Sequence, residues 1–323
     1  MKIAVIDDYP NVFRTLNCFP KLAGHEVVVF TDTPNDVASL AKKLQDFDAV
    51  VLTQQRSYFP RELIEQLPKL KVIGQTGRAA THVDLKACSD KGIVVSAGGS
   101  GNSSATAELT WGLILSSLRN LPREVTSLKA GGWQSTEGIG VNRKTIGIYA
   151  FGKIGSIVAA VGKAFGARVI CWGREGSTGR AKAAGFEVAP SREAFFAESD
   201  IISLHLPLNA ETRGIVTAED LAKMKPSALI VNASRSGLIA KGALLAALKA
   251  GRPGFAAVDV YDKEPVGPDE ELVKLPNVTC TPHLGYCTRE SYEEYYATVV
   301  DDLVNFAAGK PSNVLNPDAL AKK

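Results

Sequence analysis

Lys144–Glu175 reads KTIGIYAFGKIGSIVAAVGKAFGARVICWGRE, and the fold follows from how this stretch is parsed. Thr145–Tyr149 is a short apolar, β-branched run, and Ala150–Gly155 supplies a turn. Ile157, Val158, Val161 and Phe165 then recur at helical spacing before Arg168–Trp172 resumes a strand. The pattern predicts one βαβ unit. In such a unit a glycine of the first turn lets the backbone approach a pyrophosphate, whose charge sits at the positive end of the helix. The dinucleotide fingerprint is GxGxxG, whereas the residues here are Ala150, Phe151, Gly152, Lys153, Ile154 and Gly155. Alanine stands at the first glycine. A variant of a short motif is weak evidence by itself, because glycines also occur in ordinary helix–strand turns.

Composition narrows the classes around this unit. The 323 residues are 45% hydrophobic and 22% charged, as expected of a globular chain long enough for two domains. Lys and Arg number 37 against 34 Asp and Glu, a formal charge of +3, and no basic block occurs. That argues against a nucleic-acid surface and for a small-molecule partner. The cysteines, Cys18, Cys88, Cys171, Cys280 and Cys287, are odd in number and scattered, with no CxxC pair. Neither a disulfide framework nor a zinc or other metal site is expected, and a reducing cytoplasm fits best. Met1–Asp7 is strand-like and runs into two aspartates without a signal-peptide pattern, and no apolar segment approaches spanning length. Neither export nor a membrane partner is expected.

The first hundred residues alternate helical patterns with β-branched runs at 2–7, 26–30, 49–52, 71–75 and 93–97. Pro34 and Pro60 stand where helices would begin, and Gly24 and Gly92 where helices would end. A first α/β domain therefore closes near Ala97. Gly98-Gly99-Ser100-Gly101 follows as a flexible element, then a long helix from about Ser103 to Leu118 read as a crossing between domains. A Gly-rich connection over Leu121–Asn142 precedes a second alternation, with runs at 145–149, 168–172, 201–205, 228–234, 256–261 and 278–283. After it a helix is expected through Ser291–Phe306, then a polar tail. The expected fold is α/β with two doubly wound parallel sheets. Residues 1–97 and 288–323 would form one domain and 98–287 the dinucleotide-binding domain.

In open parallel sheets, ligands bind beyond the carboxyl ends of the strands. Arg235 follows the run ending VNAS, Glu264 follows AAVDVY, and His283 follows VTCTP. Each has an ordinary explanation alone: a helix cap, a surface charge, a loop histidine. Together they supply a guanidinium fork suited to a carboxylate and an imidazole beside a carboxylate that favours its protonated form.

Five segments in this order, GIYAFGKIG (147–155), DIISLHLPLNAETRGIV (200–216), NASRSGLI (232–239), DVYDKEP (259–265) and TPHLG (281–285), resemble the D-isomer-specific 2-hydroxyacid dehydrogenase family. LKVIGQTGRAATHVD (70–84) and ATAELTWGLIL (105–115) extend the likeness over nearly the whole chain. The resemblance implies a flavodoxin-like substrate domain, a Rossmann cofactor domain, a cleft between them that closes around substrate, and a homodimer joined through the cofactor domains and the Ser103–Leu118 helix. It implies hydride exchange between NAD(P)H and a small 2-oxo or D-2-hydroxy acid. Arg235 would hold the substrate carboxylate and polarise the ketone, His283 would exchange the proton, and Glu264 would keep His283 charged. Cofactor contacts would come from Phe151, Gly152, Lys153, Ile154, Gly155, Gly173, Arg174, His205, Pro207, Thr212, Ala233, Ser234 and Asp259. Substrate contacts would come from Gly77, Arg78 and Ala79, chiefly through backbone N–H groups.

Departures from the family's pattern sharpen these expectations. NAD enzymes usually place Asp or Glu at the end of the second strand for the adenosine ribose, whereas this chain has Gly173-Arg174. That favours NADP, with Arg174 forking a 2′-phosphate. NAD stays open if Glu175 takes the ribose. Gln54 and Gln75 stand where the family's phosphoglycerate dehydrogenases carry phosphate-binding arginines, although Arg56 and Arg78 lie nearby, and no room is expected after the second sheet for the C-terminal regulatory domain many of them carry. Glu264 in place of glutamine argues against formate. Arg78 meets either a second anionic group or solvent. His82 lies in the carboxylate loop, with a ligand contact or a turn role open to it, while His25 carries no assignment. Tyr58, Trp133 and Tyr286 are aromatic candidates for the pocket's far side, or else core or interface residues. Two other readings stand beside the oxoacid reductase. One is a phosphoglycerate dehydrogenase-type enzyme, the other a non-catalytic NAD(P)H-sensing binding protein like the family's corepressors.

Overall fold

In the computed structural model, which describes residues 1–34, 36–99 and 101–322, the β-branched runs become strands of two parallel sheets. The first holds β1 (Lys2–Val5), β2 (Glu26–Val29), β3 (Ala49–Leu52), β4 (Val72–Thr76) and β5 (Val94–Gly98), in the order β2-β1-β3-β4-β5. That is the flavodoxin-like order. β3 in its middle reads as a continuous apolar run because both faces are covered, and every residue of its neighbour β4 and of the edge strand β5 is buried as well.

The second sheet holds β6 (Thr145–Tyr149), β7 (Arg168–Trp172), β8 (Glu187–Val188), β9 (Ile201–Leu204), β10 (Leu229–Asn232), β11 (Phe255–Val258) and β12 (Val278–Cys280). Its order is β12-β11-β10-β9-β6-β7-β8. Counted from β6, this is the Rossmann order 3-2-1-4-5-6 with one further strand at the edge. The chain leaves β6 for β7 on one side and returns to β9 on the other, so β6 and β9 flank the switch point where such folds hold ligands.

Contacts divide the chain into one compact unit of Met1–Asn102 with Thr288–Lys323 and another of Ser103–Cys287. The boundary expected after Ala97 falls inside the first unit, and Ser100 of the expected flexible element lies outside the described residues. The helix Ser103–Leu118, read from sequence as a crossing, belongs to the second unit. It buries Trp111, Leu113 and Ile114, and Trp111 Nε1 donates to the Val158 carbonyl at 3.2 Å.

Three segments differ from the sequence reading. Leu121–Asn142 is no uniform connection, because Leu121–Lys129 forms a helix with proline in its first turn and no buried residue. β8 is two residues at a sheet edge, too short to show a pattern. The expected polar tail packs onto the first unit, where buried Asn316 accepts from Val95 N at 2.8 Å and donates to the Ile93 carbonyl at 2.9 Å. The helix Arg289–Ala307 also lies on that unit, with the Tyr296 hydroxyl 2.7 Å from Thr53 Oγ1.

Candidate active site

The turn after β6 keeps a left-handed residue where the fingerprint has its first glycine: Ala150 adopts φ +76°. Alanine's Cβ makes that conformation costly. Ala150→Gly is therefore expected to stabilise the second unit by about 1 kcal/mol, read as a higher urea midpoint, and an unchanged midpoint would remove the argument. Gly152 caps the helix Lys153–Ala164 with no side-chain hydrogen bond, and a Cβ built on it would meet nothing within 4 Å. Gly155 differs: its Cβ would stand 2.4 Å from the Ala150 carbonyl oxygen, so only glycine allows the helix to pack here. A helix N-terminus lacking a side-chain cap, with open space over a glycine, fits the diphosphate of a dinucleotide.

Phe151 is held on three sides by its surroundings. Its ring lies in the core, its N–H donates to Ser177 Oγ at 2.6 Å, and its carbonyl accepts from Arg180 Nε at 3.1 Å. Lys153 is exposed in the first helical turn, and Ile154 packs against the core. At the end of β7, Gly173 has φ +154°, and a Cβ there would approach Ser177 Oγ to 3.1 Å. The missing ribose-binding carboxylate at 173 thus has a conformational reason as well. Arg174 and Glu175 follow, both exposed.

β10, β11 and β12 are successive neighbours, so Arg235, Glu264 and His283 rise from the same edge of the sheet. His283 Nδ1 donates to Glu264 Oε2 at 2.6 Å, with the two side chains only 19% and 20% exposed. Glu264 Oε1 accepts from Tyr261 N at 2.9 Å, which fixes the carboxylate as it faces the ring. The Tyr286 ring stands edge-on to His283, with centroids 6.1 Å apart. Arg235 is exposed, and its carbonyl accepts from Asn232 Nδ2 at 2.9 Å.

The His283 backbone is itself unusual, with φ +56°. Asp259 stabilises the loop around it: Oδ1 accepts from Thr281 Oγ1 at 2.6 Å and Leu284 N at 2.7 Å, and Oδ2 accepts from Gly285 N at 2.9 Å. Asp259 is fully buried, and burial pushes its carboxyl pKa up against those hydrogen bonds and the nearby His283 charge. The sequence places Asp259 beside the cofactor and leaves its anchoring of the histidine loop unseen. Its position at the end of the strand next to TPHLG was the available signal.

The remaining candidates separate clearly. His205 follows β9, and burial pushes its imidazole pKa down to about 4, so it is neutral near pH 7 and no proton donor there. Thr212 donates to the Pro207 carbonyl at 2.6 Å, shaping the loop that carries both. Ser234 Oγ donates to the Leu204 carbonyl at 2.7 Å beside buried Ala233. In the first unit, Gly77 has φ +88° and its N–H donates to the Gly98 carbonyl. Among the described residues, the Arg78 and Ala79 N–H groups make no backbone hydrogen bond. His82 is buried, its pKa pushed down to about 4 by that burial, and its carbonyl accepts from Phe59 N beside the bridge between Phe59 and Val83. Tyr58 and Trp133 are 73% and 78% exposed and belong to neither core. Among the described residues no three acidic, His or Cys side chains gather to hold a metal, and no helix is long and apolar enough to cross a membrane.

Known proteins resemble this chain in sequence and in fold. The D-isomer specific 2-hydroxyacid dehydrogenase NAD-binding domain matches residues 111–285. A glyoxylate reductase of Thermococcus litoralis is 35% identical over 291 residues, covering 87% of each chain. A D-3-phosphoglycerate dehydrogenase of Archaeoglobus fulgidus is 35% identical over 290 residues, 89% of this chain and 54% of that protein. The chain spans about half the length of the curated phosphoglycerate dehydrogenases it matches first. A solved phosphoglycerate oxidoreductase of Vibrio cholerae superposes with TM-score 0.93 at 44% identity, covering 96% of this chain and 99% of that one. The sequence, the two sheet orders and these relatives together make the chain a member of the D-isomer specific 2-hydroxyacid dehydrogenase family.

Proposed function

We propose that this protein is a reductase of small 2-oxo acids that uses a nicotinamide dinucleotide, with NADPH preferred. The observation that carries the reading is the 2.6 Å His283–Glu264 pair, on the strand ends one and two places from the one that bears Arg235. When bound, the reduced nicotinamide supplies the hydride that the substrate's C2 accepts. Arg235 pairs with the substrate carboxylate and draws electron density onto the ketone oxygen. His283, with Nδ1 committed to Glu264, delivers the proton to that oxygen from Nε2 and takes it back in the reverse direction. Glu264 holds the ring in place for that transfer through its 2.6 Å bond to Nδ1. The Gly152–Gly155 turn would hold the diphosphate, Gly173 and Arg174 the adenosine end, and His205, Pro207, Thr212, Ala233, Ser234 and Asp259 the rest. The N–H groups of the Gly77-Arg78-Ala79 loop are assigned to the substrate carboxylate by the same reading.

An unphosphorylated substrate is favoured because Gln75 carries no charge where a phosphate would need a cation, and its Nε2 is spent on the Gln54 carbonyl at 3.0 Å. A second reading, a phosphoglycerate dehydrogenase-type activity, is supported by the phosphoglycerate relatives and by exposed Arg78. A homodimer is supported by the apolar side chains that the Leu121–Lys129 helix leaves exposed, Leu121, Val125 and Leu128, and sedimentation as a monomer would remove it. The five free cysteines suit a reducing cytoplasm.

Steady-state rates on glyoxylate, hydroxypyruvate, pyruvate, branched and aryl 2-oxo acids and 3-phosphohydroxypyruvate, each with NADPH and NADH, test the proposal. The expected result is highest kcat/KM on a short unphosphorylated acid with NADPH. Preference for 3-phosphohydroxypyruvate moves the assignment to the second reading, and equal rates with NADH end the NADPH preference. An absorbance burst with no steady-state turnover on any acid overturns the enzyme in favour of a binding protein.

A further inference from the structure

Arg174, on which the NADPH preference rests, already has an anionic partner. Its Nη1 donates to Glu211 Oε2 at 2.9 Å, with side-chain exposures of 74% and 73%. Arg174 follows β7 and Glu211 lies in the loop after β9, and these are the strands on either side of β6. The ion pair therefore joins the two loops that flank the fingerprint turn at the end of β6.

Both backbones are fixed while both side chains reach solvent. Glu211 N donates to Asn209 Oδ1 at 2.9 Å, and the same oxygen accepts from Thr212 N at 3.1 Å, an Asx turn closed by the buried Thr212 hydroxyl. Arg174 caps the following helix, its carbonyl accepting from Ser177 N at 2.8 Å. Exposed carboxylate–guanidinium pairs are weak and are screened by salt. A phosphate dianion is a stronger partner for the same fork, and a carboxylate left beside it is a like charge.

We propose that Glu211 determines cofactor specificity by competing with the 2′-phosphate of NADPH for Arg174. This rests on the reading that Arg174 meets that phosphate. In this arrangement the carboxylate must turn aside for NADPH and stays paired with Arg174 when the ribose carries a hydroxyl, which keeps NADH usable. Glu211 thus lowers a discrimination that Arg174 alone would make larger.

The test compares the protein with its Glu211→Gln, Arg174→Ala and doubly substituted forms. Dissociation constants for adenosine 2′,5′-bisphosphate and adenosine 5′-monophosphate are measured by calorimetry, beside kcat/KM for NADPH and NADH. Glu211→Gln is expected to tighten the bisphosphate about fivefold while the monophosphate stays within about twofold, and to raise the NADPH:NADH ratio similarly, less so at high salt. In the Arg174→Ala background the same substitution is expected to change neither quantity by more than about twofold. If Arg174→Ala weakens the bisphosphate but Glu211→Gln does not tighten it, Glu211 has no such role while the reading of Arg174 stands. If Arg174→Ala leaves the bisphosphate unchanged, the reading of Arg174 fails and this proposal fails with it.

Discussion

His283→Asn is expected to lower kcat/KM for oxoacid reduction by about 10³-fold, within the range by which a positioned proton donor accelerates a reaction. Asparagine is the informative replacement because the site needs a left-handed residue, φ +56°, and asparagine tolerates that region well. The thermal transition should therefore hardly move, which separates lost chemistry from lost structure. Glu264→Gln is expected to cost about tenfold in kcat/KM, because the charge-assisted hydrogen bond of the carboxylate 2.6 Å from Nδ1 holds the ring and a neutral amide holds it less firmly. Near-normal turnover in His283→Asn would sink the assignment, and an unchanged kcat/KM in Glu264→Gln would remove the role of the carboxylate.

Arg235→Gln carries the second large effect, a loss of about 10²- to 10³-fold in kcat/KM, comparable to removing a donor from an oxyanion site. A guanidinium serving both the carboxylate and the ketone oxygen acts in binding and in the transition state, so KM should rise and kcat fall together. Arg235→Lys keeps the charge and loses the fork, and should recover only part of the loss. An unchanged KM with less than about a tenfold loss in kcat would show that Arg235 does not meet the substrate.

Much of the fold was legible because parallel strands covered on both faces are written as unbroken apolar runs. The runs at 49–52, 145–149 and 168–172 coincide with β3, β6 and β7. Leu121–Lys129 hid its helix because Leu121, Val125 and Leu128 meet no core, so the apolar spacing had nothing to explain it. Arg235, Glu264 and His283 were legible as candidates because each lies a few residues beyond a strand. Asp259 with Leu284, 25 residues apart, and Arg174 with Glu211, 37 apart, were not. Those pairings exist only once the sheet sets the strand ends side by side. Ala150 is a third kind of case, since a substitution visible in the sequence left the backbone conformation of the turn in place.

The parallel ladder of β10, β11 and β12 has a practical consequence for the kinetics. Main-chain hydrogen bonding spaces neighbouring strands by about 4.8 Å, so the roots of the three loops are set by the ladder and not by the side chains they carry. Truncating one side chain leaves the strand ends that lead to the other two in place. The rate loss of an Arg235 and His283 double variant then measures how far the proposed carboxylate clamp and the proposed proton donor act in concert, uncomplicated by one strand end shifting when the side chain beyond the other is cut away.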